Sequence, residues 1–233
     1  MTRSTHLPRP LTLAATGLAA VVLTASMSAC SSNSSDASSA SDPVVAVETT
    51  GTEADADAED STAAVPEGFT LVEVPEYGIS VAVPSDWDTL TSANASDGEL
   101  VGRIAQALGH SEDEVNADLE DTPLTSVDTA SDSDIPPSLV LGRVDGDGAL
   151  PSEDRLKQLA ETNDVDSTDY EPTTSGSGAD AAVFAVRALE DGTQYYLSVV
   201  SVTNGDDSYY ATVIITHSEH QVKEISDAVL ASL

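Results

Sequence analysis

Apolar and polar residues alternate in two short stretches near position 70. Residues 69–74 (FTLVEV) and 79–83 (ISVAV) both show this pattern, which is typical of strands with one buried face. Pro75 to Gly78 lies between them, and proline and glycine favour turns. The pattern therefore predicts two strands. Pro84 to Trp87 then turns the chain and places the only tryptophan, for which we expect a packing role in the core or at its rim.

Helical spacing replaces this alternation further along the chain. Leu100, Ile104 and Leu108 recur at intervals of four residues. Ser111 to Glu114 has the form of a capping box, which is typical of a helix start. We therefore predict two short helices broken near Gly109.

Two more helices are predicted nearer the end of the chain, from Asp154 to Asn163 and from about Ser218 to Ser232. Ser218 and Gln221 form a second capping pair. The buried stripe of the last helix is predicted to comprise Val222, Ile225, Val229 and Leu230.

Strand patterns dominate the last third of the sequence. Asp191-Gly192 and Asn204-Gly205 are typical hairpin turns, so the three strands around them predict an antiparallel meander. Helices packed on such a sheet give an α+β fold with a mainly antiparallel β-sheet. The predicted strands in this last third are Ala181 to Leu189, Tyr195 to Val202 and Tyr209 to Ile215, and a further predicted strand, Ser138 to Val144, precedes them.

The first 29 residues have the pattern of a secretory signal peptide. Arg3 and Arg9 precede an uncharged stretch of apolar or small residues at 11–29. That stretch is long enough for a retained membrane anchor. Its final part, Thr24 to Ala29, is small and partly polar, which favours cleavage.

The sequence Met27-Ser28-Ala29-Cys30 resembles the lipobox of bacterial lipoproteins. The resemblance implies acylation of the Cys30 thiol and cleavage between Ala29 and Cys30. Ordinary secretory cleavage at the same bond would place the bulky Met27 where a small residue is preferred. Since two acyl chains anchor a protein stably, we expect attachment to the extracytoplasmic face of a cell membrane through lipid on Cys30.

The remaining chain divides into a polar stretch and a folded part. Residues 30–65 are rich in Ser, Ala and Asp and have too few large apolar residues to fold. We therefore predict a signal peptide at 1–29, a disordered tether at 30–65 and one domain at 66–233. The single cysteine allows no internal disulfide, and a domain of this length buries enough surface to be stable without one.

Acidic residues dominate the charge. The chain has 41 Asp and Glu residues against 8 Lys and Arg residues, which gives a formal net charge of -33 at pH 7. Nucleic acids and anionic headgroups bind proteins through basic residues, so we expect no nucleic-acid partner. A solvated surface explains the excess acid more simply than a specific cation-binding role.

The segment from Tyr77 to Trp87 (YGISVAVPSDW) resembles the opening motif of the PsbP/Mog1-like superfamily, which includes the LpqN-type lipoproteins of actinobacteria. The strands near Tyr195 and Tyr209 and the closing helix at 221–233 are also similar. The resemblance covers residues 67–233 and implies an α/β/α sandwich with helices on the faces of the sheet. It further implies an accessory or binding role and supplies no catalytic residues.

Few residues suggest metal binding or catalysis. His217 and His220 have helical spacing and could contribute to a metal site, although exposed positions at a helix start explain them more simply. Residues 145–148 (DGDG) are similar to the start of a calcium loop, but Ala149 and Leu150 occupy positions where an EF-hand needs other residues. We therefore expect no cofactor, no metal site and no catalytic set.

These patterns favour a non-catalytic, lipid-anchored envelope lipoprotein that acts as a binding or accessory module for a protein or an envelope component. One alternative is a carrier of a small apolar or lipid ligand, held between the sheet and the helices. A further alternative is an envelope hydrolase, because serine, histidine and aspartate all occur in the chain.

Replacing Cys30 by alanine tests the anchor. In cells fed a palmitate analogue, the wild-type chain should be labelled and should sediment with membranes. The Cys30→Ala chain should be unlabelled, because it lacks the thiol that carries the lipid. An unlabelled wild-type chain that diffuses freely in the medium would contradict the prediction.

Overall fold

The structure, a computed structural model, describes residues 65–163, 165–190 and 192–233. The predicted signal peptide, the cleavage site at Ala29 and Cys30, and the tether up to position 64 lie outside the described residues, as does Asp191. Within the described part, no helix is long and apolar enough to cross a membrane.

Nine strands and four helices form the described part of the chain. The strands are β1 (Phe69–Val74), β2 (Ile79–Pro84), β3 (Asp88–Thr91), β4 (Leu124–Val127), β5 (Ser138–Asp145), β6 (Asp166–Thr174), β7 (Asp180–Glu190), β8 (Thr193–Thr203) and β9 (Ser208–Thr216). The helices are α1 (Gly98–Leu108), α2 (Glu112–Asp118), α3 (Glu153–Thr162) and α4 (Glu219–Ser232).

Seven of the strands build one sheet in the order β3-β4-β5-β9-β8-β7-β6, while β1 and β2 form a separate hairpin. All neighbouring strands in both sheets run antiparallel. This arrangement confirms the predicted α+β fold with a mainly antiparallel sheet. The predicted meander is also confirmed, as β7, β8 and β9 are consecutive neighbours.

The period of two along each strand sends alternate side chains to opposite faces of the large sheet. On the first face, α4 and the β1–β2 hairpin cover a core that includes Val200, Ile214 and Trp87. Trp87 is only 7% exposed, which confirms its predicted packing role. On the second face, α3 covers a core around Phe184 and Val199.

The helices α1 and α2 cover a third core at the other end of the second face, around Leu90 and Val127 of β3 and β4. The predicted break between these helices is confirmed: Gly109 has a φ of 70° and ends α1 in the left-handed conformation. The predicted capping box is present, since Ser111 and Glu114 hydrogen-bond reciprocally at the start of α2.

Three strands were not predicted, and each lacks a clear alternating pattern. β3 and β4 have four residues each, and all four residues of β4 are buried. β6 (DSTDYEPTT) is polar and lies at the edge of the sheet. An edge strand pairs on one side only, and its acids and Pro172 hinder pairing with another chain.

Two hydrogen bonds hold the C-terminal end of α4 against the rest of the fold. The Ala82 amide of β2 donates to Ser232 Oγ at 2.9 Å. The Gly176 amide, in the turn between β6 and β7, donates to the Leu230 carbonyl at 2.9 Å. A Cβ atom at position 176 would overlap the Ala231 carbonyl, so this contact requires glycine.

We expect Gly176→Ala to destabilise the fold by about 3 kcal/mol, because either the turn or the last turn of α4 must move. Urea denaturation followed by Trp87 fluorescence measures the change. Gly98→Ala, at the start of α1, is the matched control, since its Cβ would meet no atom within 4 Å. The control should shift stability by no more than about 0.5 kcal/mol. Equal stability of the two variants would contradict the proposed contact.

Candidate functional site

Helices cover the second face of the large sheet in two separate blocks, and a cavity opens beside each block. The larger cavity, which we call the acidic cleft, has a volume of about 960 Å³. It lies between the end of α1, the side of α2 and the loop that joins β4 to β5. Its carboxylates are Glu114, Asp118, Asp132 and Asp134.

Local sequence sets the shape of the acidic cleft. Gly109 ends α1 and allows the chain to turn sharply into α2. Ser111 then fixes the Glu114 carboxylate, because the Ser111 amide donates to Glu114 Oε2 at 2.8 Å and its hydroxyl donates to the same oxygen at 2.7 Å. These two hydrogen bonds lower the pKa of Glu114, so the carboxylate keeps its negative charge in mildly acidic solution.

An ion pair beside the cleft neutralises its arginine. Arg103 donates from Nε and Nη2 to the two carboxylate oxygens of Asp88 on β3, at 2.9 and 2.8 Å. Thr129 Oγ1 donates to Asp88 Oδ2 at 2.6 Å. The Arg103 guanidinium, followed by the Thr129 hydroxyl, lowers the pKa of Asp88 against the opposing effect of burial. Arg103 is thus paired with Asp88, and none of the four cleft carboxylates forms a salt bridge with it.

His110 stands at the junction of α1 and α2 and lines the cleft. Its Nδ1 atom is buried and makes no hydrogen bond. The nearest carboxylate oxygen, Asp118 Oδ2, is 4.0 Å away, which is too far for a hydrogen bond. The imidazole therefore retains an unused polar atom at the side of the cleft.

The two histidines considered for a metal site do not act together. His217 Nε2 lies 3.1 Å from Ser133 Oγ. His220 Nδ1 lies 3.7 Å from Glu224 Oε2, with its side chain 87% exposed. In the part of the chain that the structure describes, no group of three His, Cys, Asp or Glu residues is placed to hold a metal ion.

The Ser133–His217 contact joins the β4–β5 loop to the end of β9. Ser133 Oγ also accepts a hydrogen bond from the Ile135 amide at 3.3 Å. Ile135 is buried in the core beneath α3. The Ser133 hydroxyl therefore helps to stabilise the β4–β5 loop.

The DGDG segment forms a bend after β5. Asp145 pairs with Arg143, whose Nε lies 3.1 Å from Asp145 Oδ1. Asp147 Oδ1 accepts a hydrogen bond from the Ala149 amide at 3.1 Å. Both carboxylates thus contact residues in or next to this bend, as expected for a tight acidic turn.

The smaller cavity, which we call the α3 pocket, has a volume of about 300 Å³ and lies between α3 and the hairpin end of β8 and β9. Its walls include Arg155, Leu156, Leu159, Ser201 and Tyr209. Burial raises the pKa of Tyr209, while the charge of Arg155 partly offsets that rise. The sequence patterns allowed a ligand between the sheet and the helices but did not identify these residues.

Comparisons with known proteins give little further information. No family model matches the chain, and no curated protein matches it. Among solved structures, the protein of unknown function PA94 from Pseudomonas aeruginosa is similar over 69% of this chain and 94% of its own, with 13% sequence identity and a TM-score of 0.31.

Asp88→Asn should make stability less dependent on pH. The folded-state pKa of Asp88 lies below its ordinary value, so its contribution is present above the unfolded pKa, about 3.9, and is lost as pH falls through the folded pKa. We expect wild type to be more stable than the variant at pH 7 and the gap to close in strongly acidic solution. Thermal denaturation between pH 7 and pH 2.5 measures this.

The control for this experiment is Asp86→Asn, which alters an exposed aspartate two positions earlier. Its stability should follow that of wild type across the same pH range. A gap between wild type and Asp88→Asn that stays constant down to pH 2.5 would show that the ion pair does not cause the effect.

Proposed function

We propose that this chain is a non-catalytic, lipid-anchored binding module of the cell envelope, and that its acidic cleft receives basic side chains of a partner protein. Lipid on Cys30 would hold it at the extracytoplasmic face of the membrane. The similarity of the sequence at 77–87 to PsbP/Mog1-like and LpqN-type domains supports an accessory role. The cleft supplies the surface on which that role would depend.

The observation that carries the proposal is the charge of the cleft. Glu114, Asp118, Asp132 and Asp134 line it, and the one arginine there is paired with Asp88. Electrostatic complementarity steers and orients protein partners. With a net charge of -33 on the chain, long-range attraction also favours a basic partner.

Carbodiimide crosslinking tests the cleft directly, because this reagent joins a carboxylate to an amine. Membranes that contain the wild-type chain should yield a reproducible crosslinked protein. Mass spectrometry should place the bonds between cleft carboxylates and lysines of that partner. Absence of a reproducible partner, or crosslinks spread evenly over the acidic surface, would contradict the proposal.

The double substitution Asp132→Asn with Asp134→Asn should reduce partner recovery several-fold, because it removes two negative charges from the cleft. Glu73→Gln with Asp206→Asn is the matched control. It removes the same charge from exposed residues that do not line the cleft. Equal loss in both double variants would assign the effect to overall charge.

The α3 pocket is the observation that favours the second candidate, a carrier of a small apolar or lipid ligand. It lies between a helix and the sheet and contains two leucines. Its volume of about 300 Å³ is at the small end of the range for ligand sites, roughly 300–1,000 Å³. A ligand in this pocket must therefore be small.

A further inference from the structure

The α3 pocket differs from the rest of this acidic molecule in the state of its arginine. In the described residues, five of the six Lys and Arg side chains lie within 4.0 Å of a carboxylate, in the pairs Arg103–Asp88, Arg143–Asp145, Lys157–Glu153, Arg187–Asp166 and Lys223–Asp227. Arg155 is the exception among these described residues. Its charge is available at the pocket.

Sequence spacing explains why Arg155 has no partner on its own helix. Lys157 and Lys223 each have an acid four residues away, at Glu153 and Asp227. The corresponding neighbours of Arg155 are Pro151 and Leu159. Adjacent residues such as Asp154 do not face it across a helical turn, so the guanidinium is left for a group from outside α3.

Two hydroxyl groups accompany this charge. Tyr209 lines the pocket, and burial raises its pKa, so its hydroxyl stays protonated at neutral pH and can donate a hydrogen bond. Ser201, on β8, also lines the pocket and is only 1% exposed. The pocket thus combines a cation from α3 with hydroxyl groups from the sheet.

Two leucines of α3 form an apolar part of the pocket wall, beside the polar Gln158 and Thr162 of the same helix. Leu156 is 4% exposed and belongs to the core beneath α3. Leu159 packs against the same core and also lines the pocket. Aliphatic walls favour an apolar ligand body, because each methylene group that leaves water for such a wall increases the affinity.

We propose that the α3 pocket binds a small organic anion with a short aliphatic chain. The anionic group would pair with Arg155 and accept a hydrogen bond from Tyr209, while the chain would lie against Leu156 and Leu159. This site takes the opposite charge to the acidic cleft and is independent of it. This proposal rests on the carrier function and names the class of ligand that would be carried. Partner binding at the acidic cleft does not depend on ligand binding in the α3 pocket.

Titration with matched small molecules tests the inference. The full chain with Cys30→Ala, which removes the site of lipid attachment, is titrated with hexanoate, hexyl phosphate, hexanol and acetate. Binding is followed by the amide NMR signals of Leu159, Ser201 and Tyr209. We expect an anion with a chain to bind at least tenfold more tightly than hexanol, which lacks the charge, or acetate, which lacks the chain.

The comparison of hexanoate with hexyl phosphate decides which anionic group the pocket prefers. Tighter binding of either one supports the inference and identifies the head group. Equal binding of hexanol and hexanoate would overturn the role of charge. Absence of shifts at these three amides with every compound would overturn the site, while leaving crosslinking at the acidic cleft unaffected.

Arg155→Gln should weaken binding of the preferred anion at least tenfold. Arg155 is exposed, so the variant should fold, and its thermal denaturation should match that of wild type. Lys157→Gln is the matched control, because it removes one positive charge from the same helix at a position that does not line the pocket. Tyr209→Phe should weaken binding to a smaller extent through loss of one hydrogen bond. Equal affinity of wild type and Arg155→Gln would overturn the inference.

Discussion

Burial of the central strands on both faces is the constraint on which the rest of the fold depends. Residues 197–202 of β8 and 211–216 of β9 are all buried, so neither face of the sheet at these strands can be left to solvent. On one face, α4 and the β1–β2 hairpin supply the cover. On the other, α1, α2 and α3 supply it.

The candidate sites follow from the way the second face is covered. The helices there are short, with 11, 7 and 10 residues in α1, α2 and α3. They form two blocks at opposite ends of the sheet. A cavity borders each block, and the two cavities differ in charge because four carboxylates line the acidic cleft, whereas an arginine and no carboxylate line the α3 pocket. One layer of the sandwich thereby presents two chemically distinct surfaces.

Local sequence patterns were sufficient to predict those parts of the fold that are stabilised by residues close in sequence. The capping box at Ser111 and Glu114, the helix end at Gly109 and the alternation in β7 to β9 all involve residues close in sequence, and all are present. The short strands β3 and β4 were missed because their stability comes from neighbours distant in the chain: β4 pairs with β3 on one side and β5 on the other.

The sequence by itself determined the charge of the molecule and the class of fold, because each depends on composition or on short-range periodicity. Only the tertiary structure decided which polar and charged side chains pair with each other. Asp88 meets Arg103 across 15 positions, and Ser133 meets His217 across 84. Arg155 reaches the same pocket as Tyr209 only because α3 packs on the sheet. Such contacts depend on the folded path of the chain, which no local pattern encodes.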